Sequence, residues 1–277
     1  MGSLYLVADI NEKGGCHVLG RLENGILKLE EVYRFEIKQT QKNGKNLWDL
    51  NYIFEQIKEG IANCKKIGKL PVLVGITAFD NLFVLLDQDN KVIDDMIFNL
   101  DDIREPETFK IKYLPYIEKA KCFLMLADYF CYLLTGRMQC NCTYLVPIGL
   151  VSKDTLGWND KCIEKMGLDK LQLPPVSRPG NVIGNLTYEI TDEIGYDFII
   201  METLSRQAAA AIFNTAEKDI GDDNIDIQQL DKSQPDRVSI SDELKSIIGC
   251  LCILFIVSHE LKDMEVAVEI IRKFLLR

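Results

Sequence analysis

The sequence has little of what several binding chemistries require. It holds two histidines, His17 and His259, each in or beside an apolar run. A zinc site normally combines Cys and His at set spacings, so few partners exist for one. Positive charge is also short: 32 Lys and Arg stand against 42 Asp and Glu, a net charge of −10. Nucleic acids and anionic membrane surfaces both select concentrated cations, so neither is an expected partner. Long hydrophobic runs are missing. The longest wholly apolar stretch, "CLCILFIV" from Cys250 to Val257, is far short of the ~20 residues that span a bilayer. No basic segment precedes the first strand-like run, so no signal peptide is expected. Cysteine, by contrast, is plentiful. Nine cysteines, an odd number without a secretory signal, imply reduced thiols and a cytoplasmic location. The C-x-C pairs Cys140/Cys142 and Cys250/Cys252 lack the usual zinc spacing and are expected to be buried structural thiols.

What is present reads as an α/β protein. Residues 4–10, 16–22 and 26–36 alternate as three strands, broken by "NEKGG" and by the hairpin turn "ENG". Between residues 47 and 67, Leu50, Ile53, Phe54, Ile57, Ile61 and Cys64 recur at helical spacing, and Gly68 stops the helix. "LPVLVGI" is continuously apolar, as a strand buried on both faces would be. "FVLLDQDNKVIDDMIF" predicts a second hairpin. Helices are expected over residues 119–135 and 158–167, a strand over 197–203, and a small-residue helix from "SRQAAAAIF". After Phe213 the chain becomes acidic and polar, which predicts a linker over residues 214–237. Its aspartates lack the bidentate Glu of a calcium loop. Residues 238–277 predict one or two helices, the first capped by Ser241.

A meander, a helix and then a buried strand open a ribonuclease-H-like lobe, and a Rossmann unit would alternate from the start. In this order "YLVADI", "HVLGRLENG", "WDLNYIFEQIKEG", "FVLLD", "EKAKCFLMLADYFCYLLTG" and "PPVSRPGNVIGNLTYEI" resemble the N-terminal domain of the FGGY carbohydrate kinases. The likeness is strongest to kinases of a ketose such as L-rhamnulose. It covers residues 4–213, with a deletion near residues 105–115. It implies an actin-like ATPase fold with a mixed sheet flanked by helices, a sugar-binding first lobe, and an ATP-binding second lobe. It also implies an aspartate that takes the proton of the attacking sugar hydroxyl.

The resemblance assigns roles position by position. The family's first loop resembles D-x-G-x-S-S-x-R, and here reads "ADINEKGGC". Asp9 would hold Mg2+ through water, and Asn11, Gly14 and Gly15 would face nucleotide. Asn11 replaces a glycine, and Asn enters the left-handed region more readily than most residues. The loop's arginine falls on Cys16 or is absent. The sugar motif resembles G-I-D-T-W-G-x-D-F and reads "GITAFDNLF", which assigns Thr77, Phe79, Asp80 and Leu82 to substrate contacts. Only Phe79 keeps the chemistry of its position, and Asp80 is out of register. A third motif leaves Asp101 or Asp102, and Arg104, near the sugar. The family's base aligns with Arg206, which cannot accept a proton at neutral pH. Glu202 is the nearby substitute. No glycine-rich ATP loop follows Ile212.

These readings predict a kinase-like lobe without phosphotransfer, working by binding or interaction, with no cofactor. Two alternatives stand beside it. One is a residual kinase that uses Mg-ATP, and the other a lobe that binds a small polyol or an anion held by Arg206. A lobe made to face another exposes an apolar surface, which "IIGCLCILFIV", a homodimer or a partner chain would cover.

Overall fold

The computed structural model describes residues 2–37, 39–42, 45–99, 105–218 and 241–275. The first three strands are β1 (Tyr5–Asn11), β2 (Gly14–Glu23) and β3 (Ile26–Glu36), an antiparallel meander. A short hairpin, β4 (Gln39–Lys42) and β5 (Lys45–Trp48), which the sequence pattern did not predict, leads into α1 (Leu50–Lys66). Asp49 caps α1 by accepting from the Tyr52 N–H at 2.9 Å, and such caps contribute about 1 kcal/mol. Ile53, Ile57, Ile61 and Cys64 form its buried face, as their spacing predicts.

Next come β6 (Leu73–Ala78), the hairpin β7 (Leu82–Leu86) and β8 (Val92–Asn99), and α2 (Pro106–Ile117). Then follow β9 (Cys122–Met125), α3 (Leu126–Thr135), β10 (Cys140–Asn141), α4 (Cys142–Leu145) and α5 (Asp160–Met166). The remaining elements are β11 (Val176–Ser177), β12 (Val182–Asn185), α6 (Tyr188–Ile194), β13 (Ile199–Met201), α7 (Arg206–Lys218), α8 (Asp242–Val257) and α9 (Met264–Leu275).

One sequence expectation needs correction, and one helix was not predicted. The single helix expected over 119–135 is a strand followed by a helix, because the apolar run Cys122–Met125 pairs antiparallel with β7. Near the place where the resemblance put a deletion, α2 buries Phe109, Tyr113 and Ile117 at four-residue spacing, with Phe109 against the ring of Phe83 and Tyr113 edge-on to Phe98. The helix predicted from "SRQAAAAIF" runs on to Lys218, and the rest of the acidic stretch lies outside the described residues.

The main sheet has the order β12-β13-β6-β1-β2-β3, with β13, β6 and β1 parallel and the outer pairings antiparallel. β8-β7-β9 form a second, antiparallel sheet. Side chains alternate across a strand, and β1 shows this plainly. Leu6, Ala8 and Ile10 join the core beneath α1, α3 and the second sheet. Tyr5 and Val7 join the core beneath α7, α8 and α9. By the same alternation Asp9 faces the α7–α8 side.

That side is closely packed. A Cβ on Gly249 of α8 would lie 2.5 Å from the Ala209 carbonyl oxygen of α7, so the small residues there set the helix separation. Phe255 meets Tyr5 edge to face, and Leu251 fills the space above Gly20. Among the described residues no helix is long and apolar enough to cross a membrane.

Candidate functional site

At the end of β1 lies a cleft of about 840 Å³, lined by the β1–β2 turn, the Phe79–Asn81 loop, and the first residues of α7 and α8. At its base, just past the lining residues, is Asp9, fully buried. Its Oδ2 accepts from Arg206 Nε at 3.0 Å and from Ser246 Oγ at 2.6 Å, while Oδ1 has no donor. Burial pushes the Asp9 carboxyl up to about 6, and Arg206 and Ser246 hold it from rising further. Burial works against the Arg206 charge, but Asp9, Asp80 and Glu243 outweigh it and raise its pKa. The position that the resemblance aligns with a base therefore carries a fixed cation, bonded to the carboxylate to which the resemblance assigns Mg2+.

α8 completes the wall. Glu243 accepts from Asn11 Nδ2 at 3.0 Å and pairs with Arg34 at 2.7 Å. Arg34 also pairs with Glu31 at 2.7 Å, and Glu31 accepts from the Cys16 thiol at 3.4 Å. Cys16 thus stands at the foot of an acid–guanidinium chain that Arg34 closes from β3. Sequence spacing carried no sign of Ser246, Glu243 or Arg34, since Ser246 and Asp9 are 237 positions apart.

The "NEKGG" loop differs from the expected phosphate turn. It is a tight hairpin with Asn11 opposite Gly14, and Asn11 Oδ1 accepts from the Lys13 N–H at 2.9 Å. Asn11 is absent from the described residues with positive φ, so the left-handed conformation expected of it is not used. The glycines answer to packing instead. A Cβ on Gly14 would lie 1.9 Å from the Phe35 carbonyl oxygen, and one on Gly15 would lie 2.2 Å from the Phe35 ring.

The sugar-motif residues separate into two groups. Phe79 and Asp80 line the cleft. Phe79 stacks on Trp48 with centroids 4.4 Å apart, and Asp80 Oδ2 accepts the Gln207 N–H at 3.0 Å, at the start of α7. Asp80 therefore lines the cleft although it is out of register with the motif. Thr77 and Leu82 do not line the cleft. Thr77 is fully buried beside the Tyr144 hydroxyl at 3.3 Å, and Leu82 belongs to the core. Asp101, Asp102 and Arg104 lie outside the described residues.

Glu202 is not brought to Asp9. It is buried, accepting from Gln139 at 2.6 Å and Ser177 at 2.6 Å. Nearby, Asp128 accepts the Asn141 N–H at 3.1 Å, and burial, with Glu202 adding, raises its pKa well above the usual carboxylate range. All nine cysteines are unpaired, and among the described residues no three His, Cys, Asp or Glu side chains could hold a metal.

These residues do not fit a magnesium nucleotide. One oxygen of Asp9 is taken by a guanidinium and a hydroxyl, and the cleft lining carries five acids, Glu12, Glu36, Asp80, Asp242 and Glu243, against the three cations Lys13, Arg34 and Arg206. The glycines are closed against Phe35.

The mixed sheet, with helices on both faces and a cleft at the end of β1, defines a lobe of the actin-like ATPase fold. Residues 109–213 match the family model for the FGGY family of carbohydrate kinases, N-terminal domain. Rhamnulokinase of Oceanobacillus iheyensis is 29% identical over 250 residues, covering 79% of this chain and 53% of that protein. Rhamnulokinase of Halalkalibacterium halodurans is 28% identical, covering 75% and 51%. Among solved structures, ligand-bound xylulose kinase from Lactobacillus acidophilus superposes with a TM-score of 0.66 at 18% identity, covering 77% of this chain and 50% of that one. Plasmodium falciparum glycerol kinase with ADP gives 0.58 at 14% identity, covering 78% and 51%. These two establish the fold alone. Part of the chain is similar to the N-terminal domain of FGGY carbohydrate kinases, and the chain spans about half the length of the curated relatives it matches.

Proposed function

We propose that the chain is a kinase-like lobe that holds a small polyhydroxylated ligand in its cleft without transferring a phosphoryl group. The observation that carries this reading is Arg206 Nε bonded to Asp9 Oδ2 at 3.0 Å. A guanidinium cannot take a proton from an attacking hydroxyl, and loss of a general base costs ~10²–10⁴ in rate. The same contact occupies the carboxylate that would orient metal-bound water. Binding itself is still supplied for. Phe79 offers an aromatic wall stiffened by Trp48, and Asp80 keeps one oxygen without a donor. The names of the relatives make ketoses, L-rhamnulose first, the ligands to try.

Thermal-shift titration with L-rhamnulose, other ketoses and polyols, alongside a coupled ADP-release assay with Mg-ATP, tests the proposal. A shift with a ketose that Asp80→Ala removes, without ADP release, is the expected result. ADP release that disappears in Asp9→Ala would overturn it in favour of a residual Mg-ATP-dependent kinase. No shift with any sugar would turn the reading toward a protein partner, a second copy or another chain, over the cleft, which sedimentation at high concentration would detect. Nine unpaired thiols support a reducing, cytoplasmic setting.

A further inference from the structure

A second recess of about 470 Å³ lies apart from the cleft, between α4, the loop that follows it, the Arg178–Pro179 turn and α7. Its walls are carbon-rich: Val146, Pro147, Leu156, Pro179 and Ala208. Two cations, Lys153 and Arg178, complete the lining, both exposed, and no carboxylate lies within ion-pair distance of either among the described residues. This contrasts with the cleft, where Arg34 and Arg206 are both consumed by internal acids.

The recess is built rather than incidental. Arg178 sits on a turn closed by the Asn181 N–H on its own carbonyl at 3.1 Å, and the next residues are pinned by Gly180 N–H on the Glu202 carbonyl at 2.8 Å. The opposite wall is a loop closed by Ser152 N–H on Gly157 O at 2.9 Å and Leu156 N–H on Ser152 O at 2.9 Å. Within it Leu156 has φ +53°, a left-handed conformation that a branched aliphatic residue adopts only against strain. Strain of this kind persists where the surroundings over-determine it, and it collects at ligand sites. Here it belongs to a side chain that lines the recess.

We propose that this recess binds a small amphipathic anion, an organic carboxylate or sulfonate with an apolar body. The body lies on Val146, Leu156 and Pro179, and the anionic head lies between Lys153 and Arg178. An apolar surface with two unpaired cations and no acid selects against sugars, which bring hydroxyls to carbon walls, and against bare phosphate, which has no body to bury. The site does not depend on the reading of the cleft.

The test is a fluorescence titration of the whole chain with 8-anilinonaphthalene-1-sulfonate, followed by displacement with octanoate and with octan-1-ol. Saturable binding is expected, displaced by octanoate at concentrations at least tenfold below those at which octan-1-ol acts. Octanoate affinity should fall as sodium chloride rises from 50 to 500 mM. The double variant Lys153→Glu/Arg178→Glu should weaken octanoate binding tenfold or more with an unchanged melting temperature, because neither cation has an ion-pair partner among the described residues. Leu156→Gly, which relieves the φ strain but removes a wall, should weaken binding while melting no lower than the parent. Absence of saturable binding, equal displacement by the alcohol, salt-independent affinity, or full affinity in the charge-reversed variant would each overturn the proposal.

Discussion

Two buried acid sites, Asp9 on β1 and the pair formed by Asp128 on α3 and Glu202 just after β13, solve the same problem differently. At Asp9 a carboxylate without solvent meets a guanidinium and a hydroxyl. At Asp128 and Glu202 two carboxyls meet only neutral donors, Asn141, Gln139 and Ser177, and neither has an ion-pair partner among the described residues. Burial raises the pKa in all three, and at Asp128 the neighbouring Glu202 raises it further. A buried charge persists when a counter-charge is fixed beside it, and otherwise the group keeps its proton. Asp9 is thus the acid of the three with a counter-charge fixed beside it, and that counter-charge is already part of the chain.

The largest expected effect breaks that pairing. Arg206→Met leaves a buried carboxylate uncompensated and should cost about 3–5 kcal/mol in urea unfolding at pH 7.5. Adding Asp9→Asn should restore most of the loss, and strict additivity of the two single changes would show that the residues do not act as a pair.

Next in size is the pH response. The folded Asp9 carboxyl lies at about 6 against an ordinary value of 3.8. Its contribution to stability is therefore complete below pH 3.8 and is lost as pH rises through 6. Two units correspond to about 3 kcal/mol. The stability of the parent relative to Asp9→Asn should fall by about that amount between pH 4 and pH 7. His17 runs the other way: burial lowers its pKa to about 4, so its contribution is full above pH 6.5 and declines as the solution is acidified. The comparison with Asp9→Asn isolates the first term because both proteins keep His17.

Ser246→Ala removes one of the two donors on Asp9 and should cost about 1 kcal/mol. Smallest is Glu202→Gln. Replacing one carboxyl of a pair held by neutral donors should change stability at pH 7 by less than about 1 kcal/mol, measured in the same way. A loss as large as that of Arg206→Met would mean that Glu202 is charged and compensated by a group not identified above.

Much of the first lobe was legible because its signals are local. The meander, α1 and its buried stripe, and the parity that sends Asp9 to one face all follow from periods of two and 3.6. β9 was not legible, since four apolar residues directly preceding a helix carry no periodic mark, and only pairing with β7 reveals the strand. α2 was obscured by the internal Pro115 and by an alignment gap placed across it. Phe79, Asp80 and Arg206, singled out in sequence, line the cleft. Thr77 and Leu82 were assigned by motif position, yet the first points to Tyr144 and the second into the core. Ser246 and Glu243 come from a helix whose sequence speaks only of burial, and no local rule brings them to β1.

The hairpin glycines carry a further consequence. Gly14 and Gly15 are closed on Phe35, so replacing Asn11 and Lys13 with small residues would not by itself recreate a cradle for an anion. A dissolved divalent ion would also have to outcompete a tethered rival. Arg206 is anchored at the start of a packed helix, and an intramolecular group so oriented acts at an effective concentration far above any free metal ion in a cell. Giving this carboxylate affinity for a metal ion would therefore begin with shortening one side chain on α7, before any change to the turn.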